Sequence, residues 1–281
     1  MTTPKLALFG INMGTMADPS VMVTVTQAAE AAGYESVWTG EHIVLPDPQA
    51  PPSPAAPETP MVDTAVALAY LAASTSTIRL GSGIIILPQR QPAVLAKSLA
   101  SLDHMPGGRL MFGLGVGYLE AEMTACGVPM AGRGGRADEY LRAIRALWSD
   151  DAVTFDGEFV SLDGVTAYPK PAQAAIPIVA GGHSRAAVRR AIETAHGWYG
   201  FMRDVETTAA DLALLAEMAD SHERPAELGK LEISITPAGR LKPGHLEAYA
   251  ELGVDRLILQ PGGHRNLAEL LEYVDQYKPA S

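Results

Sequence analysis

The segment from Ile78 to Gly117 constrains the fold of this chain more than any other. It begins with a nearly continuous apolar run that ends at Leu87, and such a run is typical of a strand covered on both faces of a parallel sheet. A helix begins near Pro92, and its apolar residues recur at helical spacing as one stripe, Val94, Leu95, Leu99 and Leu102. After the helix, the apolar residues 110–114 predict a second buried strand. The segment therefore predicts a β-α-β unit with parallel strands.

The rest of the chain repeats this alternation of strand and helix. Eight strands are predicted, at residues 5–9, 36–39, 78–87, 110–114, 176–180, 198–201, 231–236 and 256–259. Helices are predicted at residues 20–32, 63–74, 137–148 and 267–277, among others. No linker separates two apolar cores, and the 281 residues suit a (β/α)8 barrel, which needs about 250. We expect a single α/β domain over residues 1–281, a (β/α)8 TIM barrel, rather than an open doubly wound sheet.

Two segments depart from the alternation. Residues 46–60 contain seven of the 21 prolines, and proline lacks the amide donor that helices and inner strands need. We expect a long loop there, either a spacer or a lid that shapes the substrate site. Residues 152–165 alternate in polarity around Asp156-Gly157, which predicts a β-hairpin. The barrel is therefore expected to carry a hairpin insertion and a Pro-rich loop.

Composition and charge narrow the classes of function. The net charge is −11 and no run of Lys and Arg could grip a phosphate backbone, so we expect no nucleic-acid partner. Because no stretch of about 18 apolar residues occurs, no membrane span is predicted. A signal peptide is not predicted either, because no long apolar core follows a basic patch at the start. The single cysteine, Cys126, excludes an internal disulfide and favours a reducing cytoplasm.

The carboxyl ends of the strands are where a β/α barrel places its functional groups. Six segments follow predicted strands, at residues 10–13, 40–42, 83–87, 115–120, 181–184 and 261–264. They are rich in glycine and poor in paired acids, without metal-ligand spacing among the seven histidines and without a Gly-x-Ser-x-Gly elbow. We therefore expect no metal, and a face suited to a large flat ligand.

Two glycine-rich turns could approach such a ligand. Gly181-Gly182-His183-Ser184 follows a strand and opens a helix, so its amides could bind a phosphate, or Ser184 could simply cap the helix. Gly115-Val116-Gly117 contains part of a dinucleotide fingerprint but lacks the third glycine. It could equally be a strand end packed closely on a neighbour.

Three side chains on this face are candidates for proton transfer or for orienting it. His42 ends the second strand and is suited to proton transfer near neutrality, with Glu41 beside it to orient the ring. His42 could also be a hydrogen-bonded histidine at the barrel rim. Glu120 is the other candidate acid, or else a solvated glutamate in the first turn of a helix.

Several motifs in a fixed order resemble one known family. They are YESVWTGEH, RLGSGIIILP, LAKSLASLDHMPGGRLMFGLGVGYLEAE, RGGRADEYLRAIRALW, and the run from FDGEF through AYPKP to PIVAGG. Together they cover most of residues 5–201 and resemble the bacterial-luciferase-like flavin and deazaflavin oxidoreductases. Within that family they are most similar to the branch that uses coenzyme F420.

The resemblance implies a barrel with the cofactor ring at its carboxyl face and a small-molecule substrate. It implies a non-proline cis peptide at Gly83-Ile84, in a bulge that presses on one face of the ring. It places His42 near the reactive ring carbon, Glu41 against the ring, and Glu120 where some sugar-phosphate dehydrogenases have an active-site acid. The remaining implied cofactor contacts are Gly115 and Gly117 beside the ring, and Gly181, Gly182, His183 and Ser184 at the phosphate. Members of the family commonly form homodimers.

Departures from the family pattern bear on the choice of cofactor and substrate. Flavin-using luciferases have a phosphate-binding arginine after strand four where this chain has Val116, which favours F420 over FMN. Residues 43–46 lack the aromatic side chain of the sugar-phosphate dehydrogenases, and no basic pocket for a sugar phosphate is evident. Three hypotheses follow: an F420-dependent oxidoreductase, an FMN-dependent monooxygenase, or a non-catalytic barrel subunit.

Overall fold

The computed structural model describes residues 3–262 and 265–279, and within them the predicted barrel is confirmed. Eight parallel strand positions close into a ring. The first strand (β1, Lys5–Phe9) pairs with both β2 (Ser36–Thr39) and β11 (Arg256–Leu259), and β3 (Arg79–Ser82) pairs with β5 (Leu110–Gly115). The third position is broken into two segments, β3 and β4. The ring strands are β1 Lys5–Phe9, β2 Ser36–Thr39, β3 Arg79–Ser82, β4 Ile85–Ile86, β5 Leu110–Gly115, β8 Ile178–Gly181, β9 Gly197–Arg203, β10 Glu232–Pro237 and β11 Arg256–Leu259.

The helices lie outside the ring and connect successive strands. They are α1 Pro19–Ala31, α2 Thr64–Ala72, α3 Pro92–His104, α4 Glu120–Ala125, α5 Arg133–Ser149, α6 Arg185–Thr194, α7 Val205–Ala219, α8 His245–Glu251 and α9 Leu267–Gln276. Side-chain caps start most of the longer helices; Asp18, for example, accepts hydrogen bonds from two amides of α1. Among the described residues, no helix is both long and apolar enough to cross a membrane.

The stripe predicted for α3 is only partly correct. Leu95, Leu99 and Leu102 are buried, but Val94 is 65 % exposed. Residues 95, 99 and 102 lie on one side of a helix with 3.6 residues per turn, and position 94 is turned away by about 100°. Val94 therefore lies at the surface although it is apolar.

Apolar side chains form two separate layers. The outer layer lies between the strands and the surrounding helices and includes Leu8, Leu80 and Phe112. The inner layer fills the ring and consists of Ala7, Phe9, Trp38, Met111, Val179, Tyr199 and Ile258. Trp38 fits because Gly81 has no side chain: a Cβ at Gly81 would lie 2.6 Å from Cε2 of the indole. The ring is thus a packed core with its working surface at the carboxyl ends.

An ion-pair cluster closes the amino end of the ring. Arg256, fully buried, donates to Glu35 at 2.9 Å and to Glu232 at 3.1 Å, and its guanidinium lies 5.7 Å from the Trp38 ring centre. Burial tends to raise the pKa of Glu35, but the hydrogen bonds and charge of Arg256 outweigh it and hold that pKa below its usual value. The charged groups at this end of the ring therefore stabilise the fold.

The hairpin insertion is confirmed, with a longer turn than the Asp-Gly signal predicts. Strands β6 Val153–Asp156 and β7 Ser161–Val165 pair antiparallel, and Asp156 lies opposite Ser161. The turn consequently contains residues 157–160. The buried Glu139 carboxylate of α5 accepts hydrogen bonds from the amides of residues 158, 159 and 160, which explains the wider turn. Residues 46–60 contain neither helix nor strand, as predicted.

Candidate active site

His42 lies at the carboxyl end of the ring, three residues after β2, and is held by an acid that the sequence analysis missed. Its Nδ1 is 3.0 Å from Oε2 of Glu122, a residue of the short helix α4. The other carboxylate oxygen, Oε1, accepts a hydrogen bond of 2.5 Å from the amide of Ile43. The Glu122 side chain is fully buried, and that of His42 is 10 % exposed. The pair joins the loop after β2 to the loop after β5.

The second ring nitrogen of His42 lies on the open side of this pair. Nε2 is 3.5 Å from the hydroxyl of Tyr118, and the two rings meet edge to face with centres 5.9 Å apart. Tyr118 is 49 % exposed. Burial, and then the charge of Glu122, raises the pKa of the Tyr118 hydroxyl. A neutral hydroxyl therefore lies beside Nε2.

Glu41 does not orient His42 in this structure. Its oxygens accept hydrogen bonds of 3.1 Å from the Ile86 amide and from Arg90, which also binds Asp63 at 2.9 Å. Burial raises the pKa of the Glu41 carboxyl, although Arg90 opposes this. Glu41 thus ties the end of β2 to the segment after β4, and its contact with a cofactor ring stays a prediction.

Glu120 is the first residue of α4 and is exposed. Its carboxylate makes neither a hydrogen bond nor an ion pair with any described residue, and its role stays a prediction. Glu122 lies two residues further along, where Met123 and Glu122 are both buried. The six residues of α4 are too few to show a core-facing side in the sequence, so the burial of Glu122 became evident only in the structure.

The break between β3 and β4 forms the bulge that the family resemblance implies. The peptide bond between Gly83 and Ile84 is cis, as expected from that resemblance. Ser82 fixes the strand below the bulge, since its hydroxyl donates to the Gly113 carbonyl at 2.8 Å and accepts from the Gly113 amide at 2.9 Å. Ile84 is partly exposed and packs on top of the inner layer. It thus presents an apolar surface at the carboxyl face.

Three of the predicted cofactor glycines surround this bulge and the segment after it. A Cβ at Gly115 would overlap Cδ1 of Ile84, and one at Gly181 would lie 2.8 Å from the same atom. Gly117 has φ of +79°, and a Cβ there would lie 2.8 Å from Cγ2 of Ile86. Close packing, the alternative considered for Gly115-Val116-Gly117, is therefore confirmed. It leaves the predicted cofactor contacts of these glycines as predictions.

The turn from β8 into α6 has the geometry of a helix cap. Ser184 accepts a hydrogen bond of 3.2 Å from the Ala187 amide, so the capping alternative is confirmed. Gly182 has φ of +115°, which favours glycine, and its carbonyl accepts from the Trp198 indole at 2.8 Å. The amides of residues 185 and 186 have no partner within the helix and remain suited to an anion.

His183 is turned toward β9 and α7. Nε of Arg203 lies 3.1 Å from Nδ1 of His183 and 2.8 Å from Oδ2 of Asp211. Burial, and then the charge of Arg203, lowers the pKa of His183. The ring is therefore held neutral beside the helix start, and its predicted contact with a phosphate stays a prediction.

Exposed apolar side chains surround the mouth. Ile43 and Val44 follow β2, Tyr118 follows β5, and Phe201 and Met202 end β9; these five are 40–49 % exposed. Phe201 also packs against Phe9, with ring centres 5.2 Å apart and the ring planes tilted by 51°. This surface suits an organic ligand with apolar parts.

Two further expectations concern the same face. Of the predicted segment 261–264, Gly263 and His264 lie outside the described residues, while Pro261 and Gly262 line a cavity of about 190 Å³ beside Phe9 and Met13. Across residues 3–262 and 265–279, no group of three or more His, Cys, Asp or Glu side chains could hold a metal ion.

The residues at the mouth fit a flat cofactor with a phosphate. Ile84 offers an apolar face, Gly115 and Gly181 leave room for its side chain, and the start of α6 offers amides at the next strand end. His42 supplies an imidazole at the same end of the ring. Such a site can bind a tricyclic ring and move one proton.

Comparison with known proteins agrees with this geometry. Residues 6–279 match the family described as luciferase-like monooxygenase. An uncharacterised protein of Mycobacterium tuberculosis is 31 % identical over 239 residues, covering 82 % of this chain and 83 % of that protein.

Two named relatives match shorter parts. An F420-dependent glucose-6-phosphate dehydrogenase of Kineococcus radiotolerans is 34 % identical over 169 residues, covering 58 % of this chain and 48 % of that enzyme. An FMNH2-dependent dimethylsulfone monooxygenase of Pseudomonas putida is 35 % identical over 133 residues, covering 46 % of this chain and 36 % of that enzyme.

The fold agrees with that of a solved enzyme. The solved structure of an F420-dependent secondary alcohol dehydrogenase superposes with a TM-score of 0.76 at 17 % identity, covering 96 % of this chain and 98 % of the other. Similarity at that identity concerns the fold alone. The match over residues 6–279 shows that the chain belongs to the luciferase-like monooxygenase family, whose named relatives here are oxidoreductases that use F420 or FMN.

Proposed function

We propose that this chain is an F420-dependent oxidoreductase that transfers a hydride between C5 of the deazaflavin and a small organic substrate. The observation that carries the proposal is the Ile84 bulge, which lies on the inner core at the carboxyl face with Gly115 and Gly181 around it. The F420-dependent relative supports the cofactor. Val116, where flavin-using luciferases have an arginine, supports F420 over FMN.

Named residues would hold the cofactor in this proposal. Ile84 would support one face of the ring, with Gly83, Gly115 and Gly117 beside it and Glu41 at its edge. The phosphate would bind at Gly181, Gly182, His183 and Ser184, where the first amides of α6 and the helix dipole favour an anion. When bound, F420 supplies a hydride acceptor or donor, which no side chain can provide.

The chain's own residues would supply proton transfer and the exclusion of water. Nε2 of His42 would exchange a proton with the substrate oxygen, and Glu120 is the second candidate for that role. The apolar rim of Ile43, Val44 and Phe201 would cover the substrate and keep water out. A substrate with apolar parts fits this rim.

Turnover of F420 tests the proposal. Oxidised F420 is mixed with the protein and a panel of alcohols, and reduction is followed by loss of its visible absorbance. We expect turnover by the natural sequence and a loss of at least about 100-fold in His42→Ala, in line with removal of a general base. His104→Ala is the matched control, because His104 is exposed and lies at the last residue of α3, away from the carboxyl ends of the strands.

The alternative function is an FMN-dependent monooxygenase, supported by the FMNH2-dependent relative. Oxygen consumption with reduced FMN and no reduction of F420 would favour it. Absence of both reactions in the presence of a bound cofactor would favour the third hypothesis, a non-catalytic barrel subunit.

We also propose that the chain works as a single-domain homodimer in the cytoplasm, acting on a small molecule and binding neither nucleic acid nor membrane. The family resemblance supports the dimer, and the single cysteine and acidic net charge support the location and the absence of a nucleic-acid partner. Sedimentation velocity tests the dimer directly: a species near 29.6 kDa would contradict it.

A further inference from the structure

We propose that Glu122 is a positioning residue that holds His42 in the Nδ1–H tautomer, so that Nε2 offers a lone pair to the substrate oxygen. The tautomer follows from the protein alone. Its consequence for turnover rests on the proposed function. Neither the sequence motifs nor the family resemblance singled out Glu122.

Both oxygens of Glu122 act as acceptors. The Ile43 amide carries a fixed hydrogen, so Oε1, at 2.5 Å, must accept from it. A glutamate carboxylate has only acceptor atoms, so its second oxygen also accepts. Oε2 then lies 3.0 Å from Nδ1 of His42, a distance at which two facing lone pairs would repel. Nδ1 therefore carries the hydrogen.

The contact at the second ring nitrogen fits this tautomer. With the hydrogen on Nδ1, neutral His42 has its lone pair on Nε2, and the Tyr118 hydroxyl, which can donate or accept, lies 3.5 Å away. Burial and the bond from the Ile43 amide hold the Glu122 side chain in this orientation.

The charged and titratable neighbours do not replace either partner in the hydrogen bond between Glu122 and His42. Tyr118 and Cys126 both face Glu122, and burial together with that carboxylate raises the pKa of each, which keeps them protonated. Glu41 and Arg90 bind each other at 3.1 Å. Glu122 is consequently the partner that decides which nitrogen of His42 is protonated.

A chemical role follows for the oxidation of an alcohol. Nε2 takes the hydroxyl proton as the O–H bond breaks, and the electrons of that bond form the C=O bond. Oxidised F420, the acceptor proposed above, would take the hydride from the carbon. Glu122 stabilises the imidazolium that results, as a buried carboxylate does beside a catalytic histidine. In the reverse direction the same imidazolium returns the proton from Nε2.

The test is a two-bond ¹H–¹⁵N correlation spectrum of the full chain labelled with ¹⁵N-histidine, without cofactor. The signals of His42 are identified by their loss in His42→Gln. Spectra are recorded over a range of pH, and in the neutral form of the His42 ring we expect Nδ1 protonated and Nε2 unprotonated in the natural sequence. In Glu122→Gln, the new amide group donates to Nδ1, and the tautomer shifts to Nε2–H. Glu120→Gln, two residues away on the same helix, leaves the His42 tautomer unchanged.

Turnover and binding complete the experiment. Glu122→Gln is expected to lower kcat by about 10²–10⁴-fold, because the analogous wrong tautomer in serine proteases costs about 10⁴-fold. The affinity of this variant for F420 should change by less than about threefold, because Glu122 positions His42 and does not bind the cofactor. An Nε2–H tautomer in the natural sequence overturns the inference, and so does a Glu122→Gln spectrum with His42 unchanged. If that variant fails to fold, the spectrum of the natural sequence decides alone. If the natural sequence shows the Nδ1–H tautomer but does not bind F420, the proposed cofactor is wrong and the inference about Glu122 still holds.

Discussion

The Ile84 side chain fills the space beside Gly181 at the mouth of the barrel, because a methyl group on Gly181 would lie 2.8 Å from Cδ1 of Ile84. The glycine is therefore needed where it is for a packing reason, independent of any ligand. Because Ile84 forms the bulge that is proposed to support the cofactor ring, this relationship connects side-chain packing with cofactor affinity.

Gly181→Ala is expected to weaken F420 binding about tenfold. The new methyl group must displace Ile84 and move the apolar face, and overpacking of this kind costs about 1–3 kcal/mol. Fluorescence titration of F420 measures the effect. Gly135→Ala is the matched control, because a Cβ at this exposed position in α5 meets no atom within 4 Å. Equal affinities for the two variants would show that Ile84 does not support the ring.

Gly81→Ala is expected to lower the free energy of unfolding by about 1–3 kcal/mol. Its Cβ would lie 2.6 and 2.7 Å from two atoms of the Trp38 indole, inside a closed ring of strands that cannot widen freely. Urea denaturation measures the loss. The double variant Gly81→Ala/Trp38→Leu serves as the control: its cost should be smaller than the sum of the two single costs, because the smaller side chain removes the clash. Additive costs would refute the explanation.

Arg256→Met is expected to destabilise the fold by about 3–5 kcal/mol, since it leaves the carboxylates of Glu35 and Glu232 without their buried partner. Denaturant unfolding at neutral pH measures this. Lys5→Met removes an exposed partner of the same Glu232 and should cost less than about 1 kcal/mol. Similar costs for both substitutions would mean that burial of the guanidinium does not matter.

Glu30 is expected to make stability depend on pH in acid. Burial tends to raise its pKa, but hydrogen bonds from the amides of Ile78, Thr77 and Ser76 outweigh it and lower the pKa from 4.5 to about 2. A folded-state pKa below the unfolded value stabilises the protein above about pH 4.5, and this contribution is lost as pH falls toward 2.

Unfolding free energies measured from pH 5 down to about pH 2 test this. Glu30→Gln should show a shallower decline than the natural sequence over that range. Glu58→Gln, in the exposed Pro-rich loop, should follow the natural sequence. Parallel declines for the natural sequence and Glu30→Gln would contradict the assignment.

The barrel could be predicted from the sequence because its signals are local. Strands β1, β2 and β11 lie at the predicted residues, since each is a short apolar run bounded by turn residues. The break between β3 and β4 was not visible in the apolar pattern, and only the family resemblance placed a bulge there. The turn of the hairpin differed because Glu139, from another element, binds its amides.

The arrangement of the site was harder to predict because it depends on contacts between distant segments. His42 was correctly placed at a strand end, but its partner is 80 residues away, and the choice between Glu120 and Glu122 depends on how α4 packs. Glu41 is engaged by Arg90, 49 residues later. Such pairings leave no periodic signal in a single sequence.

The measurement that most directly tests the central proposal is a parallel titration of the purified chain with F420 and with FMN. Cofactor fluorescence or absorbance reports binding, and Gly181→Ala shows whether binding occurs at the Ile84 bulge. We predict a dissociation constant for F420 in the micromolar range or below, weakened in the variant, and much weaker binding of FMN. Tight binding of FMN with no binding of F420 would contradict the proposed cofactor and favour the monooxygenase.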